Sequence, residues 1–228
     1  MGRTVKSPDV RRAEILDTAQ KFFYIKGYEQ TSIQDIISEI GIAKGTFYHY
    51  FNSKPDLLDA VIERMTGQVL QALAPLVADP RLTALEKLNR LFDQIANWKN
   101  QNRKFLLDLL RIWYRDENAI LRAKAEAMSM ERTAPLLARI IEQGNAEGVF
   151  SVEHPADTAE IVLQVGSWLS DTLSRIILHG AQNEAADVLA LMQRKIEAHH
   201  RAIERILNAP SGSIHLYGLD QIEPWLTG

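Results

Sequence analysis

The sequence predicts an all-α chain with a small N-terminal domain, a larger helical domain and a C-terminal tail. Three observations predict it. Apolar residues recur at three- and four-residue spacing in segment after segment. Helix-start signals precede those segments: Thr31 with Gln34, Ser53 with Pro55, and Thr83 with Glu86. No stretch alternates polar and apolar residues as a strand would, and there is no internal repeat or low-complexity tract.

Taken in order, the first helix runs from about residue 9 to 25, with Ile15, Leu16, Ala19, Phe22 and Phe23 inward. Thr31 caps a second helix whose apolar face is Ile33, Ile36, Ile37 and Ile40, and Gly41 ends it. Ile42 fills the turn, and Ala43 opens a third helix with Phe47 and Phe51 inward. Ser53 caps a fourth, weakened at Pro75. Thr83 and Glu86 start a fifth that carries Leu88, Leu91, Phe92, Ile95 and Trp98. A short apolar helix follows near 105–114, then a long one near 118–145 with Pro135 as a kink. Gly148 follows its end, and Val149 and Phe150 tuck back. Two more helices lie near 155–178 and 184–208. The tail, 209–228, is rich in Gly, Pro and Ser. Its cluster of Ile222 and Trp225 either docks back or forms an appendage. The expected domains are 1–54, 55–208 and the tail 209–228.

Residues 31–51, TSIQDIISEIGIAKGTFYHYF, have the layout of a helix-turn-helix: two short helices, a glycine between them, and small, polar and aromatic residues on the second. With its flanks this stretch resembles the TetR family of bacterial transcriptional regulators. The residues that carry the resemblance begin at Arg12, Ile15, Leu16, Ala19 and Phe23. They continue through Lys26-Gly27-Tyr28, Thr31-Ser32-Ile33 and Ile36 to Gly41–Phe51, Lys54 and Leu57-Leu58. They cover about the first quarter of the chain. Ile37 stands where the family usually has a small residue. Ala43 stands where it commonly has Ser, which removes a hydroxyl at the start of the reading helix.

The resemblance implies a homodimer that binds a palindromic DNA operator, represses transcription and is released by an apolar or amphipathic small molecule. An effector-independent architectural DNA binder is the alternative. The residues expected at DNA are Lys44 and Thr46 toward base edges or adjacent phosphates, and Gly45 for close approach. Tyr48, His49, Lys54 and Thr31 are expected at phosphates. Tyr48 and His49 also fit plain packing, and Lys54 a solvated charge. Arg3 and Lys6 are either a DNA-reaching arm or an unengaged end.

Aromatic and Met side chains are candidates for the effector pocket: Trp98, Phe105, Trp113, Met128 and Trp168, each equally able to be ordinary core. The last two helices carry wide apolar stripes, Ile161–Val165–Trp168–Leu169–Leu173–Ile176 and Val188–Leu191–Met192–Ile196–Ile203–Ile206. Val165, Leu169, Leu173, Met192, Ile196 and Ile203 are therefore the candidate dimer interface, with an intrachain core as the alternative.

Charge agrees with this division. The net charge is −3. Residues 1–54 hold eight Lys/Arg against six Asp/Glu, whereas the remainder holds eighteen against twenty-three. Positive potential thus collects where phosphates would be met. The absence of cysteine excludes disulfides and thiolate chemistry, and is compatible with a cytoplasmic location. No run is long and apolar enough to span a bilayer. Glu197 and His200 form one Glu-x-x-His, but the second that a di-iron bundle needs does not occur. No nucleophile elbow, phosphate loop or zinc-hydrolase pattern is present, so no enzyme, metal or cofactor is expected.

Overall fold

The computed structural model describes residues 7–101, 107, 110–111, 113–179, 185–216, 218–222 and 225. Among them the regular elements are all helical. They are α1 (Pro8–Lys26), α2 (Ile33–Ile40), α3 (Lys44–Tyr50), α4 (Lys54–Ala78) and α5 (Ala84–Gln101), followed by α6 (Ala119–Glu147), α7 (Pro155–His179), α8 (Ala185–Leu207) and the single turn α9 (Leu219–Ile222). A 3-10 turn, Asp116–Asn118, leads into α6. Half of the expected helix near 105–114 falls outside the described residues, and Arg3 and Lys6 lie outside them entirely.

The chain forms two compact units. The first is Met1–Gln68 with Arg111–Met128, and the second is Val69–Leu110 with Ser129–Gly228. The first unit therefore extends past residue 54 and recruits a distant segment. Its core is Ile15, Leu16, Ala19 and Phe23 of α1, Ile36 and Ile37 of α2, Phe47 and Phe51, the start of α4, and Leu121. Buried Asn118 joins this core from the recruited segment, where its Oδ1 accepts the Tyr28 amide at 3.1 Å. Gly27 makes that approach possible. Its φ is +90°, and a Cβ there would lie 2.6 Å from the Glu117 Cβ.

The second unit is built on α5, α6, α7 and α8, with Leu88, Ile140, Ile141, Val162, Leu169, Met192, Ile196 and Ile203 all buried in one cluster. Thr83 and Glu86 form the expected capping box, with reciprocal bonds of 2.9 and 3.3 Å. Phe150 does tuck back against α6, where its amide bonds to the Gly144 carbonyl at 3.1 Å. The tail docks rather than hangs: Ile214, Leu216 and Ile222 are buried in this core.

Candidate nucleic-acid interface

Sequence places the cap of α2 one residue from where it forms. Two overlapping boxes were available, Thr31–Gln34 and Ser32–Asp35, and the chain uses the second. Ser32 Oγ accepts the Asp35 amide at 3.1 Å, and Asp35 Oδ2 accepts the Ser32 amide at 2.8 Å. Those bonds and Lys26 hold the Asp35 carboxyl down at about 2. Thr31 turns inward instead. It is buried, and its hydroxyl donates to the Gly27 carbonyl at 2.8 Å and the Phe22 carbonyl at 3.2 Å. The expected cap and phosphate contact at Thr31 are therefore corrected: a hydroxyl spent on two backbone carbonyls is not presented outward.

Gly41 ends α2 in the left-handed conformation (φ +73°), and its amide returns to the Ile37 carbonyl at 2.9 Å. That turn sets α3 on its way with Phe47 pointing in and fully buried. The helical repeat then fixes the other positions. Lys44, Gly45, Tyr48 and His49 share the opposite face at i, i+1, i+4 and i+5, and all four are exposed. Thr46 is half-buried at the flank. Tyr48 stands edge-on to Phe47 with ring centroids 5.4 Å apart, and the Lys44 ammonium lies 5.9 Å from the Tyr48 ring. The His49 ring meets Tyr50 edge-on at 5.0 Å. Lys54, expected at a phosphate with a solvated charge as the alternative, is engaged within the chain. Its Nζ donates to the Glu29 carbonyl at 3.2 Å and lies 4.3 Å from the Tyr28 ring centroid.

The described candidate pocket residues divide between the two units. Trp113 and Met128 pack against the core of the first unit, with Trp113 edge-on to Tyr24 at 6.5 Å. Trp168 is 64% exposed on α7 of the second unit. Phe105 and the Trp98 side chain lie outside the described residues.

The candidate interface is also corrected in part. Leu169, Met192, Ile196 and Ile203 are buried within this chain's own core, and Val165 and Leu173 are half-buried against it. A helix with a wide stripe has an inner half and an outer half, and those four lie on the inner one. The outer half presents Ile161 (52% exposed) and Trp168 on α7. There Gln164, Val165 and Trp168 line an open groove with Ala198, His199 and Ala202 of α8. The two alanines escaped the sequence reading because small residues carry no hydrophobic signal. Their i, i+4 spacing beside Trp168 was the available sign.

This geometry is that of a helix-turn-helix, with α2 and α3 as its two helices. The family model for bacterial regulatory proteins of the tetR family matches residues 15–61. That for the tetracyclin repressor-like C-terminal domain matches residues 111–178. The chain belongs to the TetR family of transcriptional regulators. It is 24% identical over 174 residues to the transcriptional repressor KstR2 of Mycobacterium tuberculosis, across 75% of this chain and 84% of that protein. It is 26% identical over 151 residues to the uncharacterized regulator YfiR of Bacillus subtilis, across 64% of this chain and 73% of the relative. Two solved structures share the fold. One is a TetR-family regulator from Pectobacterium atrosepticum (TM-score 0.58, 21% identity, 90% of this chain and 100% of that chain). The other is SmeT in complex with triclosan (TM-score 0.59, 20% identity, 92% and 97%).

No described helix is long and apolar enough to cross a membrane. Among the described residues no cluster of three or more His, Asp or Glu could hold a metal ion.

Proposed function

We propose that this regulator is a homodimeric repressor that reads a palindromic operator with α3 and leaves it when a small apolar or amphipathic molecule binds its larger helical unit. The observation that carries the DNA reading is the outward face of Lys44, Gly45, Tyr48 and His49, set opposite a fully buried Phe47. A cation, an absent side chain, a phenol and an imidazole on one helical face suit a groove walled by phosphates. Repression is supported by the likeness to KstR2, which is a repressor. Effector release is supported by the fold shared with SmeT, which was solved with triclosan. The pairing surface proposed is the groove between α7 and α8 around Trp168. One α3 reads only a few base pairs. Two related by a twofold axis read half-sites about one helical turn apart.

Selection of genomic fragments by the purified protein tests this, followed by affinity measurements across a salt series. A single palindrome is expected, with Tyr48→Ala weakening every site alike and Lys44→Ala reducing the salt slope by about one. Diffuse enrichment with salt dependence alone would instead identify an architectural DNA binder.

A further inference from the structure

The segment after α8 is held by its backbone. Asn89 of α5 donates from Nδ2 to the Ser213 carbonyl at 2.8 Å and accepts the His215 amide on Oδ1 at 2.9 Å. Glu204 of α8, itself buried, accepts the Ile214 amide at 3.2 Å. The Leu216 amide donates to His200 Nε2, also on α8. Further along, Trp225 Nε1 donates to Asn100 Oδ1 of α5 at 2.6 Å. Ile214 and Leu216, two residues apart, enter the core, while His215 between them is exposed. The segment is thus a strap tying α5 to α8.

One of these bonds depends on a proton. His200 Nε2 can accept an amide only as neutral imidazole with its proton on Nδ1. A second proton puts a donor against a donor and removes the bond.

We propose that the C-terminal strap is an acid-releasable latch: the neutral imidazole of His200 holds it on α5 and α8, and protonation of that ring frees it. The groups facing the ring are Glu197, His199 and Glu204 on its own helix and His215 on the strap. The α5 side chain that holds this part of the strap, Asn89, is uncharged. Burial first, and then His215, hold His200 below the usual histidine range, against the opposing pull of Glu204 and Glu197. A folded-state pKa below the free value means that docking is fully supported above about pH 6.5 and is lost as pH falls through the depressed value. Release uncovers the part of the core that Ile214 and Leu216 fill.

Amide exchange of Ile214 and Leu216 in the full-length protein tests the latch, with each rate divided by that of an unstructured peptide at the same pH. Protection is expected to be flat above about pH 7, to fall by up to about tenfold per unit as pH drops below about 6.5, and to level off below the depressed docked value. Ile36 in the other unit should keep its protection throughout, which separates release from global unfolding. His200→Gln retains an acceptor that does not titrate, and its protection should not vary with pH. His215→Gln removes a neighbour that repels the docked imidazolium and should move release to lower pH or shrink it. The proposal is overturned if wild-type protection stays level down to about pH 5, or if His200→Gln releases at the wild-type pH. It is equally overturned if His215→Gln moves release to higher pH. Should His200→Gln fail to fold, the wild-type curve and the His215→Gln curve decide between these outcomes.

Discussion

Gly45 has no atom within 4 Å of where a Cβ would sit, so nothing inside the chain requires glycine there. Alanine would favour the helix by about 1 kcal/mol. Gly45→Ala is therefore expected to raise the melting temperature while weakening operator binding, a pair of opposite signs that calorimetry and a gel-shift titration would read. If affinity were unchanged, the face of α3 that carries Gly45 would not be the one that meets DNA. Asp35 gives a second test at this scale. Its folded-state pKa lies below the free value, so its support for the α2 cap is complete above the ordinary carboxylate range. That support is lost as pH falls through about 2. The Asp35 carboxyl chemical shift followed through an acid titration would show it, and Asp35→Asn would lack it. Most of α3 was legible in the sequence because helical spacing alone opposes Phe47 to Tyr48 and His49. The role of Thr31 was not, because Thr31–Gln34 and Ser32–Asp35 fit the same capping rule. Only the inward turn of Thr31 toward two carbonyls decides between them.

The longest elements begin and end where capping chemistry puts them. Ser53 caps α4 through the Asp56 amide at 3.1 Å, and Gly148, at φ +73°, turns the chain out of α6. The fold-back after α6 rests on one residue whose value is invisible in sequence. Gly144 lies inside the helix, where glycine is otherwise unfavourable, and a Cβ there would land on the Phe150 ring. Gly144→Ala should cost about 1–3 kcal/mol by overpacking despite its better helix propensity, measurable as a lower denaturation midpoint. In a Phe150→Ala background the added cost of Gly144→Ala should shrink or vanish. The docking of the tail was open in the sequence for a related reason. Its attachment is mostly side chain to backbone, through Asn89, Glu204 and His200, and backbone partners leave no pattern in composition.

At the scale of the whole chain, the division into two units follows contact rather than sequence order. The sequence located the DNA reader but could not show that residues 111–128 belong with it, because Leu121 and Asn118 join that core across about ninety residues. The apolar stripes of α7 and α8 were visible at once. Which half of each stripe faces its own core depends on the packing of the two helices on each other. Trp168, at 64% exposed, marks the outer half. A buried aromatic anchor in an interface contributes about 2 kcal/mol or more, so Trp168→Glu is expected to halve the mass in sedimentation and to lower operator affinity. A variant that stayed dimeric would move the pairing surface elsewhere.

The corner where α4 ends holds a buried ammonium. Lys87 donates to the Val77 carbonyl at 2.7 Å and to Gln143 Oε1 at 2.8 Å, while Gln143 also donates to the Leu82 carbonyl at 2.9 Å. An amine-reactive reagent meets only lone pairs that are free of a proton and within reach. The exposed Lys44 should therefore be modified early. Lys87 is 4% exposed and should wait until α4, α5 and α6 part. The rate at which that one amine is labelled is a clock for the opening of this corner, and any molecule that tightens or loosens it would register as a change in the clock without being identified beforehand.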